Sequence, residues 1–250
     1  MSPTGLVLVE ACVDTARSAR RAAAGGAGRL ELCANLVEGG TTPSLGLMSV
    51  VREEVSIPVH VLIRPRGGDF LYEADEVATM LADIAETGRI GMAGVVIGAL
   101  TPDGRIDEPI TRRLVDAARP MAVTFHRAFD LAVDPIEALE ALVRVGIERV
   151  LTSGQANTAL EGIPVIRELV GRSAGRVTVL AGGGLNEQNA LRIVQETGVQ
   201  EIHLRGGIAE ESGMRFRRPG VFMGKAYQPD EYRRSETSEQ RIHAVVTAVR

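Results

Sequence analysis

Short apolar runs alternate with longer amphipathic segments along the whole chain, and this alternation restricts the fold more than any other feature. The segments between the runs have helical periodicity, and several end at a glycine suited to a helix C-terminus: Gly25, Gly88, Gly146 and Gly198. Eight runs rich in valine, isoleucine and leucine indicate strands, namely LVLVEAC, RLELCAN, PVHVLIRP, GVVIGAL, MAVTFHRAF, RVLTSG, VTVLAGGG and EIHLRGG. Their spacing of roughly 23 to 36 residues is that of a βα unit.

Eight such units in 250 residues match a (β/α)₈ barrel. Doubly wound sheets also alternate strand and helix, but they usually have fewer strands and often add a second domain. Because no Pro/Ser-rich linker divides the chain, we predict a single α/β TIM-barrel domain over residues 1–250. Residues 208–238 form a long polar loop insertion between the eighth strand and a closing helix. That loop is expected to serve as a lid or a subunit contact, or to be a solvated excursion only.

Composition excludes several classes of partner. A net charge of −4 and a pI near 5.7 argue against nucleic acid and against an anionic membrane surface. The N-terminus MSPTG has no secretory-leader pattern, and no apolar run approaches the length of a membrane span. Two cysteines in 250 residues cannot form a disulfide framework. We therefore expect reduced thiols and a cytoplasmic location.

Side-chain alternation separates an apolar face from a polar face on several strands. In the first strand Val7, Val9 and Ala11 share one face, opposite Glu10 and Cys12. The apolar face must contact the helices, because polar groups there would be desolvated without partners. The polar set predicted to point into the barrel is Glu10, Cys12, Glu31, Cys33, Asn35, His60, Arg64, His203 and Arg205, with Thr124 and His126 from the fifth strand. Such a set indicates either a self-satisfied network of Glu–Arg and Glu–His pairs or a site at the C-terminal mouth.

Two loops at the predicted mouth carry groups suited to an anion. In RPRGGDF, Arg64 and Arg66 are able to bind a carboxylate or phosphate, although Asp69 is an alternative internal partner. The seventh strand ends in AGGGLN, and a helix is expected to begin at Asn186. Its glycines, Gly182, Gly183 and Gly184, either expose backbone N–H groups to an anion or only form a tight turn. Together the loops favour a small anionic or hydroxyl-rich ligand.

Acid–base chemistry is best placed in the TFHRAFD segment. His126 and Arg127 are neighbours, so an extended strand cannot point both inward, and Asp130 lies close enough to orient either. We add Thr124 and Ser153, from strands five and six, to the ligand-binding candidates. No Gly-x-Ser-x-Gly elbow, zinc helix or Walker loop occurs in the sequence.

Several motifs resemble those of the CutC family of copper homeostasis proteins. They are LELCANLVEGGTTPSLG, IPVHVLIRPRGGDF, GALTPDGRID, VTFHRAFD, RVLTSG, ALEGIP, AGGGLN and ESGMRFR, spread from about Val9 to Gly224. This resemblance implies a (β/α)₈ barrel, a cytoplasmic location, self-association as a homodimer, and copper(I) binding. It implies no organic cofactor.

Carried over to this sequence, copper binding falls on Cys12 and Cys33, which end the repeated Glu-x-Cys of VEAC and LELC. Neighbouring strands are roughly 4.8 Å apart, so inward thiols at matching heights are able to reach one soft ion. Against this, buried cysteine often acts as a small hydrophobe, and no Cys-x-x-Cys or Met-rich tract accompanies the pair.

The alternative is a TIM-barrel isomerase, epimerase or lyase acting on a small anionic or sugar-like substrate, because the polar set is larger than copper binding requires. Glu10 or Glu31 would be the base and His126 the acid, with Asp130 beside it. The substrate-binding candidates are His60, Arg64, Arg66, Asp69, Thr124, Arg127, Ser153, Gly182, Gly183, Gly184 and His203. Metal dependence would then indicate glutamate and histidine ligands to a harder divalent ion.

Overall fold

Eight parallel strands close into a barrel in the order of the sequence, with the last strand paired to the first. A computed structural model describes residues 6–218, 220–221 and 232–250. The strands are β1 (Leu8–Val13), β2 (Arg29–Leu32), β3 (Val59–Leu62), β4 (Gly94–Ile97), β5 (Ala122–Phe125), β6 (Arg149–Thr152), β7 (Thr178–Gly182) and β8 (Glu201–Leu204). Seven lie within the predicted runs, and β1 extends one residue beyond its run, to Val13, so the predicted (β/α)₈ barrel is confirmed.

Helices follow the strands and cover the outside of the barrel. They are α1 (Ala16–Ala24), α2 (Leu45–Glu54), α3 (Ala74–Ile90), α4 (Glu108–Ala118), α5 (Pro135–Val145), α6 (Ile163–Ser173), α7 (Ala190–Thr197) and α8 (Glu239–Ala248). Gly25, Gly146 and Gly198 end helices as predicted. Gly88 does not, because α3 continues to Ile90 and ends at Gly91, which has the left-handed φ of 82°. Among the described residues, none of the helices is both long and apolar enough to cross a bilayer.

The predicted division of strand faces is confirmed, except at Asn35, which lies beyond the end of β2, is exposed and donates to the Glu38 carboxylate. Val9, Ala11 and Leu30 belong to the large apolar cluster that joins the strands to the helices, and each is at most 2% exposed. A second, small cluster lies inside the barrel and contains Cys12, Cys33, Leu62 and Val96. Full burial of a large aliphatic side chain contributes roughly 1.5–3 kcal/mol. The outer layer therefore stabilises the barrel and leaves the interior free to hold polar groups.

Strand register corrects one expectation. Cys12 pairs with Glu31 and Glu10 pairs with Arg29, so the two Glu-x-Cys segments do not lie at matching heights. A closed barrel requires neighbouring strands to be staggered, and β2 is displaced by two residues relative to the alignment that the repeat suggested. Cys33 consequently lies just beyond the end of β2, where its N–H donates to the Val13 carbonyl at 2.9 Å.

The polar connection after β8 contains more order than the predicted loop. Its ends pair as an antiparallel ribbon of β9 (Gly207–Glu211) and β10 (Arg233–Thr237). Arg17 of α1 forms ion pairs with Glu210 at 2.9 Å and Glu236 at 2.8 Å, which fasten the ribbon to the barrel. Residues 219 and 222–231 of the predicted 208–238 insertion lie outside the described residues, and its role as lid or subunit contact stays a prediction.

Candidate functional site

Cys12 and Cys33 bring their thiols together inside the barrel mouth. Their sulfur atoms lie 3.6 Å apart, and both residues are buried, at 7% and 1% exposure. One Glu31 carboxylate oxygen completes a group whose three ligand atoms all lie within 4.8 Å of one another. This is the one cluster of three or more such side chains that the described part of the chain provides as a potential metal site.

The two thiols differ in protonation. A hydrogen bond from Cys33 lowers the pKa of Cys12 to about 5, against the opposing effect of burial and with support from His203. The same hydrogen bond and burial raise the pKa of Cys33 well above its usual range. At neutral pH the pair therefore holds one proton, with the thiolate at Cys12.

Glu31 and His203 complete the inner site, and each favours the protonation state opposite to its usual one at neutral pH. Burial, together with the charge of Cys12, raises the pKa of Glu31 well above its usual value, which favours the uncharged acid. Burial opposes the charged form of His203, but hydrogen bonds with Cys12 and Glu10 raise its pKa well above the usual value. Its Nε2 lies 3.7 Å from a Glu31 oxygen. His203 therefore favours the imidazolium form beside the Cys12 thiolate.

Glu10 belongs to a buried ion-pair network below the thiols. It is bound by Arg29 and by His203, whose Nδ1 lies 2.8 Å from a Glu10 oxygen. Arg29 and Arg149 each also donate to Glu201 at 2.6 Å. Burial alone would raise the pKa of Glu10, but the His203 hydrogen bond and the Arg29 charge lower it far below its usual value. Glu10 is therefore an ionised, fully engaged carboxylate.

Sequence reasoning missed three members of this network: Arg29, Arg149 and Glu201. All three follow the same inward alternation, since each stands two residues before an inward position of its own strand. Each is the first residue of its strand, at the end of the barrel away from the predicted mouth. Part of the predicted polar interior is thus the self-satisfied network that the sequence left open as an alternative.

The fifth strand ends earlier than expected, and this changes the geometry of His126 and Arg127. The chain leaves β5 after Phe125 and enters a 3₁₀ helix at Arg127–Leu131. His126 and Arg127 are no longer successive strand residues, so both line the same inner cavity. Burial, with a smaller contribution from the charge of Arg64, lowers the pKa of His126 to about 3, so the ring is neutral.

Asp130 organises the loops around Arg127. Its carboxylate accepts hydrogen bonds from Arg127 Nε at 2.7 Å, from the Thr152 hydroxyl at 2.5 Å and from the Ser153 N–H at 3.0 Å. Arg127 also donates to the Ser153 hydroxyl at 2.6 Å. These contacts hold the guanidinium of Arg127 at the barrel mouth. The Asp130 carboxylate faces the groups that donate hydrogen bonds to it.

Arg64 and Arg66 diverge, although the sequence suggested that they act together. Arg64 donates to the carbonyls of Glu38, Gly40 and Gly68 at 2.7–2.9 Å, and it borders the inner cavity. Arg66 instead pairs with Glu76 and Asp69. Neither Arg66 nor Asp69 is among the described residues that line the two mouth cavities.

His60 and Thr124 lie deeper in the barrel, at 4% and 1% exposure. Burial lowers the pKa of His60 to about 4, so its ring is neutral at physiological pH. Within the described residues, neither His60 Nδ1 nor the Thr124 hydroxyl has a hydrogen-bond partner. Of the predicted glycines, Gly182 is buried against Leu151 and His203, whereas Gly183 and Gly184 border the outer cavity.

Two cavities border the Cys12 thiol. The outer one has a volume of about 520 Å³ and lies among the loops after β7 and β8. The inner one, about 120 Å³, reaches Glu31, Arg64 and His126. Cys12, Arg127 and His203 border both cavities, so the two cavities are neighbours at these residues.

Comparison with known proteins identifies the family. The CutC family matches residues 7–208. The chain belongs to the CutC family. A mouse copper homeostasis protein cutC homolog is 48% identical over 238 residues, covering 95% of this chain and 88% of the relative. Its human counterpart is 47% identical over 238 residues, covering 95% of this chain and 87% of the relative.

Solved structures agree with this assignment. The CutC crystal structure from Streptococcus agalactiae has 35% identity and a TM-score of 0.75, covering 79% of this chain and 97% of that one. A phosphoribosyl anthranilate isomerase from Thermococcus kodakaraensis has a TM-score of 0.60 at 16% identity, covering 98% and 99% of the two chains. The second likeness shows the barrel fold alone. The residues that match the CutC family, 7–208, include all eight barrel strands and both cysteines.

Proposed function

We propose that this CutC-family protein binds copper(I) through Cys12 and Cys33. The observation that carries the proposal is the 3.6 Å separation of two buried sulfur atoms at the barrel mouth. An ion at a metal–sulfur distance of about 2.3 Å can contact both, because their separation is less than twice that distance. The relatives' name, copper homeostasis protein, supports copper as the ion.

The chemistry of the group favours a soft ion. Copper(I) selects thiolate ligands, whereas harder divalent ions prefer carboxylate oxygen. Cys12 is already ionised at neutral pH, and only Cys33 must lose its proton on binding. Glu31 offers the nearby oxygen, but its raised pKa keeps it an uncharged acid, which is a poor metal ligand.

Access to the sulfur pair is through Cys12, which borders both cavities. Cys33 is 1% exposed and lies behind it. We infer that an incoming ion contacts Cys12 first and then displaces the proton of Cys33.

A copper(I) titration of the reduced, anaerobic protein against a competing chelator tests the proposal. We expect one equivalent to bind tightly in the parent, and we expect the tight site to be lost in both Cys12→Ser and Cys33→Ser. Glu31→Gln serves as the matched variant within the cluster and is expected to keep the site. Weak binding, or binding that neither serine substitution changes, would contradict the proposal.

We also propose a cytoplasmic location and a homodimer. Two reduced thiols within 3.6 Å need a reducing compartment to remain reduced, which supports the cytoplasm. The exposed apolar side chains Leu131 and Val133, at 62% and 66%, support a contact with a second copy. Sedimentation of the parent and of Val133→Asp tests the assembly, and a monomeric parent would overturn it.

The enzymatic alternative stays a prediction. Its proposed acid–base groups have defined protonation states in the structure. Glu10 is ion-paired, Glu31 favours the acid form and the His126 ring is neutral. In this arrangement Cys12 is a better proton acceptor at neutral pH than Glu31. A reaction at this mouth would therefore be expected to depend on Cys12.

A further inference from the structure

The outer cavity is larger than copper binding requires. Its volume of about 520 Å³ falls in the range of small-molecule sites, and a copper ion held by Cys12 and Cys33 would touch only its inner edge. The cavity lies between the loop that follows β7 and the loop that follows β8. Its lining is rich in hydrogen-bond donors, which indicates what chemistry it would accept.

Backbone N–H groups supply the first donors. Gly183, Gly184, Leu185 and Gly206 border the cavity, and their backbone N–H groups have no acceptor in the part of the chain that the structure describes. Gly183 and Gly184 have φ values of 102° and 74°, which side-chain-bearing residues rarely adopt. Successive unpaired N–H groups in such a turn form a concave site for an anion.

A guanidinium supplies the next donor. Arg205 is 44% exposed, and its ion-pair contact among the described residues, with Asp14, is 4.0 Å long, beyond hydrogen-bond distance. The other two cavity arginines are engaged, Arg127 by Asp130 and Arg241 by Glu187. Arg205 is therefore the cavity guanidinium with donors available to a ligand.

We propose that the outer cavity binds a small phosphate monoester. The phosphate lies against the N–H groups of the β7 loop, Gly206 and Arg205. Four N–H groups and a guanidinium exceed what the two oxygens of a carboxylate can use, whereas a phosphate offers three.

Calorimetric titration of the reduced, copper-free protein with glycerol 3-phosphate tests the proposal. We expect saturable binding that Arg205→Gln weakens about tenfold or more, the loss typical of a charge-assisted hydrogen bond. The matched control is Arg192→Gln, because Arg192 is an exposed arginine of α7 outside the cavity. The control should bind as the parent does.

Three results would overturn the proposal: no binding at millimolar glycerol 3-phosphate, equal weakening by both arginine variants, or equally tight binding of glycerate, in which a carboxylate replaces the CH₂–O–phosphate group. Thermal unfolding of each variant separates lost binding from lost folding.

Discussion

Cys12 lies opposite Glu31 in the β1–β2 register, and not opposite Cys33, yet its sulfur is 3.6 Å from that of Cys33. The stagger of the barrel therefore groups two thiols and a carboxylic acid, where aligned strands would have paired acid with acid and thiol with thiol. The single proton of the sulfur pair stays on Cys33, which donates a hydrogen bond to Cys12. The imidazolium of His203 stabilises the Cys12 thiolate.

The shared proton predicts how the thiolate of Cys12 responds to Cys33. Cys33→Ala removes the donor that lowers the pKa of Cys12 to about 5, so we expect that pKa to rise by roughly one unit or more. The ultraviolet absorbance of the thiolate, followed during a pH titration, measures the change. Cys33→Ser is the control, because a hydroxyl can still donate. An unchanged pKa in Cys33→Ala would mean that His203 alone sets it.

Copper binding should release one proton at neutral pH. Cys12 is already ionised, whereas the pKa of Cys33 is raised, so affinity should increase about tenfold per pH unit wherever Cys12 is ionised and Cys33 is protonated. Competition titrations at several pH values measure this slope. A slope near two that returns to one in Glu31→Gln would instead make Glu31 a third ligand.

The ion-pair network predicts unequal costs for two arginine substitutions. Arg29→Ala leaves Glu10 and Glu201 buried without their shared partner, and we expect a loss of about 3–5 kcal/mol in the free energy of unfolding. Arg192→Ala removes an exposed pair with Glu196 and should cost less than about 1 kcal/mol. Denaturant unfolding of both variants measures the difference. Similar values would show that the buried network adds little.

His60 predicts a loss of stability in acid. Its folded pKa of about 4 lies below its ordinary value of 6.5, so the unfolded chain binds more protons between these values and stability falls as pH falls through that window. The parent should therefore lose about 1.4 kcal/mol per pH unit relative to His60→Gln. Denaturant unfolding from pH 6.5 to 4 measures the difference, and parallel profiles would contradict it.

The sequence predicted the barrel and the faces of its strands, because the alternation of apolar and polar residues along a strand and the glycines at helix ends are local signals. It did not predict the Cys12–Glu31 register, because stagger is a property of the closed barrel. It also missed the early end of β5. The turn at Arg127 depends on Asp130, which accepts hydrogen bonds from Arg127 and from the Ser153 N–H after β6. The paired ends of the 208–238 connection were missed because that ribbon is held by ion pairs with α1.

Gly98 is expected to set the position of the His126 ring. A Cβ at Gly98 would lie 2.3 Å from His126 Cε1, so Gly98→Ala must displace the ring or the strand end. We expect a loss of roughly 1–3 kcal/mol, as for other overpacked interiors. Gly171→Ala is the matched control, because a Cβ there meets no atom within 4 Å and α6 should gain from alanine. Denaturant unfolding compares the two variants. If Gly98→Ala is as stable as the parent while the ring signals of His126 are unchanged, the close contact does not constrain the ring.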